Sequence, residues 1–222
     1  MTTVTVGRTL RAGEPVSGTG FELDPDGDLA DLLRGRVGPL TSHPTRAAWA
    51  APLVDDEELL RSVSVFGHGY TGPPEHYHLV SDEAFDVRRG ALELTVDGDA
   101  RRVEAGDRVA VPTETRHTFR AVGDGLSVAV TDIAPPGRIG RVLPTLGGLA
   151  HDPEADAENP LQRAVIADRL ARDTVFTETD PRLTRPLARL LAPLAGARGY
   201  RAAYSRYAED AFWERRVEQP DL

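Results

Sequence analysis

Between about residues 59 and 135, apolar and polar positions alternate in short runs. RSVSVFGH, AFDVRRG, ALELTVDG, DRVAVP, HTFRAVG and LSVAVTDI are each rich in Val and Phe. A period of two is that of a β-strand with one face turned inward. Gly, Asp and Pro punctuate the runs, and Val96-Asp97-Gly98-Asp99 predicts a tight hairpin turn. Short strands recurring roughly every ten residues predict a sandwich or a barrel.

The flanks differ. Residues 1–58 are mixed: Val4 and Val6 alternate with Thr and predict a first strand, and Leu29, Leu32 and Leu33 predict one or two helical turns. Residues 136–222 are rich in Ala, Leu and Arg. Asn159-Pro160 predicts a helix start, with an apolar stripe through Leu161, Val165, Ile166 and Leu170. A second helix is expected from Pro186 into Pro193, and a third from Tyr200 to Val217. The fold class is therefore mainly β, with N-terminal strands and loops over 1–58, a sandwich or barrel over 59–135 and an α-helical extension over 136–222.

Composition narrows the chemistry. The 222 residues include no Cys, which excludes disulfides, thiolate metal sites and cysteine nucleophiles. All 26 basic residues are Arg, so Schiff bases and the phosphate-loop lysine are excluded as well. A net charge of -9, and nothing in 1–58 resembling a helix-turn-helix, argue against nucleic acid. With no long apolar run and no secretory signal, the expectation is a cytoplasmic protein that spans no membrane.

One cluster carries chemistry. His76 and His78 are two apart, so on a strand both point to one face. Glu83 follows across a short turn, where antiparallel pairing could return it to the histidines. His117 opens a later strand. Three imidazoles and a carboxylate suit one divalent transition metal, Fe, Mn, Ni, Cu, Co or Zn, with coordination positions left open. The other reading is a hydrogen-bonded polar core.

The segment from Gly72 to Gly90 resembles the first cupin motif, G(X)5HXH(X)3,4E(X)6G, with the HXH, Glu83 and Gly90 in register. The opening glycine is offset: Gly69 and Gly72 flank the expected position, which Tyr70 occupies. Gly106, Pro112 and His117 fit the second motif, G(X)5PXG(X)2H(X)3N, although Glu114 and Ala121 replace its second Gly and its Asn. The resemblance covers roughly 60–133. It implies a double-stranded β-helix, a jelly-roll barrel, with His76, His78, Glu83 and His117 holding a metal inside. It also implies a small-molecule substrate and a homodimer, for which the Val4/Val6 strand is a candidate contact. A quercetinase-like dioxygenase is the leading activity, with Glu83 as ligand and base. A redox-inert metal isomerase or cyclase and a non-catalytic ligand-binding module are the alternatives.

Other residues are secondary. His68 is in phase with Ser62, Ser64 and Phe66, either facing the cavity as a catalytic acid or base or lying at a strand end on the surface. Tyr77 is expected opposite the two histidines, and Phe66, Phe85 and Phe119 inside the barrel. Arg116 or Arg120 could hold a substrate carboxylate. His43 and His151 read as structural or surface residues. Residues 181–208 carry six Arg and no acid, interleaved with Leu187, Leu190, Leu191 and Leu194. That pattern fits weak association with a membrane surface or an acidic partner. The favoured expectation is a helix that packs its leucines on the barrel.

Overall fold

The computed structural model describes residues 3–178 and 180–222. Strands β1 (Val4–Val6), β2 (Leu10–Arg11), β3 (Glu14–Pro15) and β4 (Phe21–Leu23) precede helix α1 (Asp28–Arg34). Then come β5 (Thr41–His43), β6 (Arg46–Asp55), β7 (Leu60–Phe66), β8 (His76–His78), β9 (Asp82–Arg89) and β10 (Ala91–Val96). They are followed by β11 (Asp99–Glu104), β12 (Arg108–Val111), β13 (His117–Val122) and β14 (Ser127–Ala134). Helices α2 (Ile139–His151) and α3 (Pro160–Leu170), strand β15 (Thr174–Phe176), helix α4 (Pro181–Ala197) and the short α5 (Asp210–Glu214) complete the chain.

Two antiparallel sheets form the jelly roll. One is ordered β12-β9-β14-β7-β6-β5 and the other β11-β10-β13-β8-β15. The expected hairpin joins β10 to β11, with Asp97 and Gly98 both at positive φ (48° and 90°), as a two-residue type I′ turn requires. The sheet also reaches back beyond residue 59, because β6 pairs with β7 from Ala48↔Phe66 to Asp55↔Leu60.

Strand alternation splits the interior in two. On β6 and β7, Trp49, Ala51, Val63 and Val65 face outward onto α1, α2 and the C-terminal aromatics Tyr207, Phe212 and Trp213. Phe66 turns the other way, into the barrel with Phe85, Leu92, Leu94 and Phe119. The sheet is thus covered on both faces, and β7 is buried from Val63 to Phe66 although its residues alternate apolar and polar.

The termini hold each other. β1 pairs with β4 within the same chain. The Gly7 and Leu10 amides donate to the Glu218 and Arg216 carbonyls at 3.1 and 2.8 Å.

The helical expectations need correction. The Pro186–Pro193 helix is longer, because α4 runs through both prolines from Pro181 to Ala197. The helix expected over Tyr200–Val217 is instead a single 3₁₀ turn at Ser205–Ala208 followed by α5. Buried Tyr207 and Trp213 anchor that stretch, and Val217 leaves it to bridge to Thr9. Leu183, Leu187, Leu190 and Leu194 of α4 are exposed rather than packed on the barrel. Leu183 and Leu190 are 72% and 75% exposed, and the helix buries Ala188 and Ala195 instead. Small residues let α4 lie close along α3, which leaves the leucine stripe on the far side.

Candidate metal centre

Four side chains meet at one end of the barrel, between the two sheets. β8 turns His76 and His78 inward by the period-two rule, while Tyr77 lies on the other face, half-buried. His117, the first residue of β13, sits opposite His76 in register. Glu83 enters from the facing sheet, where β9 pairs it with Val111 and Ile133. All four are buried, and each offers a ligand atom within 4.8 Å of the others. Ring centroids are 4.4 Å apart for His76–His117 and 5.0 Å for His76–His78.

The outward nitrogens decide the chemistry. His76 Nδ1 lies 2.8 Å from the Pro74 carbonyl, and His117 Nδ1 lies 2.9 Å from the Thr115 carbonyl. A carbonyl can only accept, so each Nδ1 carries the hydrogen. In the neutral ring this leaves the Nε2 lone pair aimed at the centre. His78 Nδ1 lies 3.0 Å from Thr174 Oγ1. Glu83 Oε2 is 2.7 Å from His117 Nε2 and 3.2 Å from His78 Nε2.

Protonation follows from burial and charge. Burial pushes His76 down to about 4, and the neighbouring His117 adds to the shift. Burial also opposes charge on His117, but the hydrogen bond to Glu83 and that carboxylate's charge outweigh it and raise the pKa. Burial alone would raise Glu83. Hydrogen bonds from His117 and His78 reverse this and hold the carboxyl well below the usual carboxylate range. A committed carboxylate beside three imidazoles is a donor set that fits a divalent transition metal.

The site opens into a cavity of about 370 Å³, within the range of small-molecule pockets. Its walls are mostly apolar, with Phe66, Phe85 and Phe119 inside as expected. Ile139, Leu143 and Leu146 of α2 and Phe176 of β15 form one side. Ser62, Ser64 and Thr131 supply neutral polar groups, and Arg46 is the lining cation outside the metal group. Arg46 forms no ion pair among the described residues. It lies near Tyr70, whose hydroxyl burial pushes up against the pull of that charge.

Not every candidate joins the site. His68 is exposed, its Nδ1 2.8 Å from the Gly123 carbonyl, and it does not line the cavity. The alternation stops at Phe66, because Gly67 and Gly69 turn the chain outward through a Tyr70 amide–Gly67 carbonyl bond of 3.2 Å. Arg116 is exposed, and Arg120 pairs with Glu93 at 2.7 Å on the outer face of β13. His43 is half-exposed, whereas His151 is buried against Ser42. Sequence reasoning missed Arg46, Thr174 and Phe176. Arg46 had a signal, being in phase with the inward-facing Ala48 and Ala50 of β6.

Residues 63–134 match the sequence profile of the cupin domain. Over 61 residues the chain is 38% identical to the polyketide synthase CurC of Streptomyces cyaneus, covering 28% of this chain and 40% of that protein. Over 52 residues it is 44% identical to the oxidoreductase iacF of Pestalotiopsis fici, covering 23% and 26% respectively. The chain thus spans less than half the length of these curated relatives. Among solved structures, KdgF from Halomonas sp. aligns with 40% of this chain and 79% of its own, at 25% identity and a TM-score of 0.38. No helix among the described residues is long and apolar enough to cross a membrane.

Proposed function

Residues 63–134 form a cupin domain, and from that premise we propose that the protein is a divalent-metal enzyme acting on a small, largely apolar organic molecule with oxygen donors. The observation that carries this reading is the convergence of His76, His78, His117 and Glu83 within 4.8 Å beside a mostly apolar cavity. The names of the two relatives support it: one is a polyketide synthase and the other an oxidoreductase. A dioxygenase acting on an enolic or phenolic substrate is the leading form.

The four side chains would hold the metal, with the Nδ1 atoms of His76 and His117 already committed to backbone carbonyls. The metal supplies Lewis acidity toward an enolate or phenolate oxygen and, where redox-active, the electron exchange that oxygen chemistry needs. Glu83 is shared between two rings and held ionised, which suits a ligand better than a proton acceptor. Phe66, Phe85 and Phe119 pack around the substrate body and exclude water. Arg46, near Tyr70, provides a counter-charge for an anionic group on the substrate.

Inductively coupled plasma mass spectrometry of the purified chain should give close to one equivalent of a transition metal. A His76→Ala/His78→Ala variant should retain none. Oxygen uptake with flavonol, catechol and diketone substrates then tests the activity under Fe, Mn, Cu or Ni loading. Absence of metal after reconstitution would overturn the metal reading. A metal-loaded protein that consumes no oxygen would overturn the dioxygenase form.

A further inference from the structure

β8 carries two of the four donors, yet it is a strand of three residues whose pairing to β13 is the single register His117↔His76. Its other edge would be open were it not for β15. That strand pairs with β8 along its whole length, Thr174 opposite His78, Val175 opposite Tyr77 and Phe176 opposite His76. The pairing continues at both ends. The Leu79 amide donates to the Asp173 carbonyl at 2.7 Å, and the Thr177 amide donates to the Glu75 carbonyl at 2.9 Å. Asp173 is fixed in turn by Arg138 Nη1 at 2.7 Å and by the Arg138 backbone amide at the start of α2. β15 lies about forty residues beyond the last strand of the cupin domain, between two helices of the extension.

Two side chains of β15 reach the histidines. Thr174, buried to 2% exposure, places Oγ1 3.0 Å from His78 Nδ1, and the Phe176 ring lies 5.7 Å from that of His76. His76 and His117 use backbone carbonyls for the same purpose. His78 alone depends on a side chain, and that side chain comes from outside the cupin domain.

We propose that Thr174 is a positioning residue of the metal centre: its hydroxyl accepts the His78 Nδ1 hydrogen, fixing the ring so that Nε2 faces the cation. This rests on the metal reading above. The C-terminal extension is then a working part of the site, since its β15 closes the edge of the ligand strand. Removing the outer partner of a ligating histidine lowers metal affinity about 10- to 100-fold in comparable sites.

The test uses the full chain and Zn(II) in competition with a chelator. Thr174→Val keeps the branched shape and loses the acceptor; it should weaken Zn(II) binding roughly 10- to 100-fold. Thr174→Ser keeps the acceptor and should bind within about threefold of the parent, a rescue that a merely packing role would not produce. Nitrogen-15 NMR of the Zn(II)-loaded parent gives a readout independent of any variant: His78 should be bound through Nε2 and carry hydrogen on Nδ1. Ligation through Nδ1, or a Thr174→Val affinity within twofold of the parent, would overturn the role of Thr174 and leave the metal site standing. A parent chain that binds no Zn(II) would overturn both.

Discussion

A Cβ atom added to Gly72 would lie 1.7 Å from the carbonyl oxygen of Phe119. Gly72 also has φ of 73°, a conformation that costs a residue with a side chain about 1–2 kcal/mol. The loop before β8 therefore crosses β13 at backbone contact distance, two residues beyond His117. Gly69 has a similar φ of 77°, but a Cβ there meets nothing within 4 Å. Of the two glycines flanking the offset motif position, Gly72 is the constrained one. Gly72→Ala should cost roughly 3 kcal/mol or more in urea unfolding, and Gly69→Ala about 1 kcal/mol. Equal costs would show that the crossing relaxes freely.

The strands and the four clustered side chains were legible from short-range rules taken together with the resemblance to the cupin motifs. Alternation turns His76 and His78 the same way, and a tight turn returns the chain to Glu83. The rule failed at His68, where Gly67 ends the alternation one residue too early. β15 was hidden for another reason. Three residues, Thr-Val-Phe, carry no period of their own, and they are a strand because the open edge of β8 lies beside them. The leucines of α4 were misplaced because an amphipathic pattern shows two faces without saying which is covered. The residues that α4 buries are alanines, Ala188 and Ala195.

That correction is measurable. Leu190 is 75% exposed and Ala195 is fully buried. Leu190→Gln should change unfolding free energy by no more than about 0.5 kcal/mol, as is usual for a surface site. Ala195→Leu should destabilise by about 1–3 kcal/mol through overpacking. The reverse order in denaturant titrations would return the leucine stripe to an interior face.

His151 should make the fold acid-sensitive. Its Nε2 lies 3.1 Å from the Ser42 carbonyl, and its ring meets Trp213 edge-on at 5.7 Å. Burial pushes its pKa down to about 4. In the unfolded chain the ring takes up a proton near pH 6.5, so acid favours the unfolded state first. The stability it contributes is complete above pH 6.5 and is lost as pH falls toward 4. The loss amounts to roughly 3 kcal/mol. His151→Gln keeps a donor toward Ser42 and does not titrate. In chelator-treated samples, the difference between parent and variant should shrink by about 2 kcal/mol from pH 7.5 to pH 5. Parallel pH profiles would exclude His151 as a source of acid sensitivity.

Arg46 should set a preference for anionic ligands. It lines a mostly apolar cavity, near Tyr70, with no carboxylate paired to it among the described residues. Arg120, which the sequence offered for the same task, is occupied by Glu93 on the outer face. A flat aromatic acid and its neutral amide separate charge from shape. Calorimetric titration of the metal-free protein should show 2-naphthoate binding about tenfold tighter than 2-naphthamide, a difference of about 1.4 kcal/mol. Removing the metal keeps the carboxylate from binding there instead. Arg46→Gln should abolish that difference while leaving the amide's affinity within about twofold, because the apolar walls that hold the ring are untouched. If the parent bound acid and amide equally, the cation at the cavity wall would play no part in choosing the ligand.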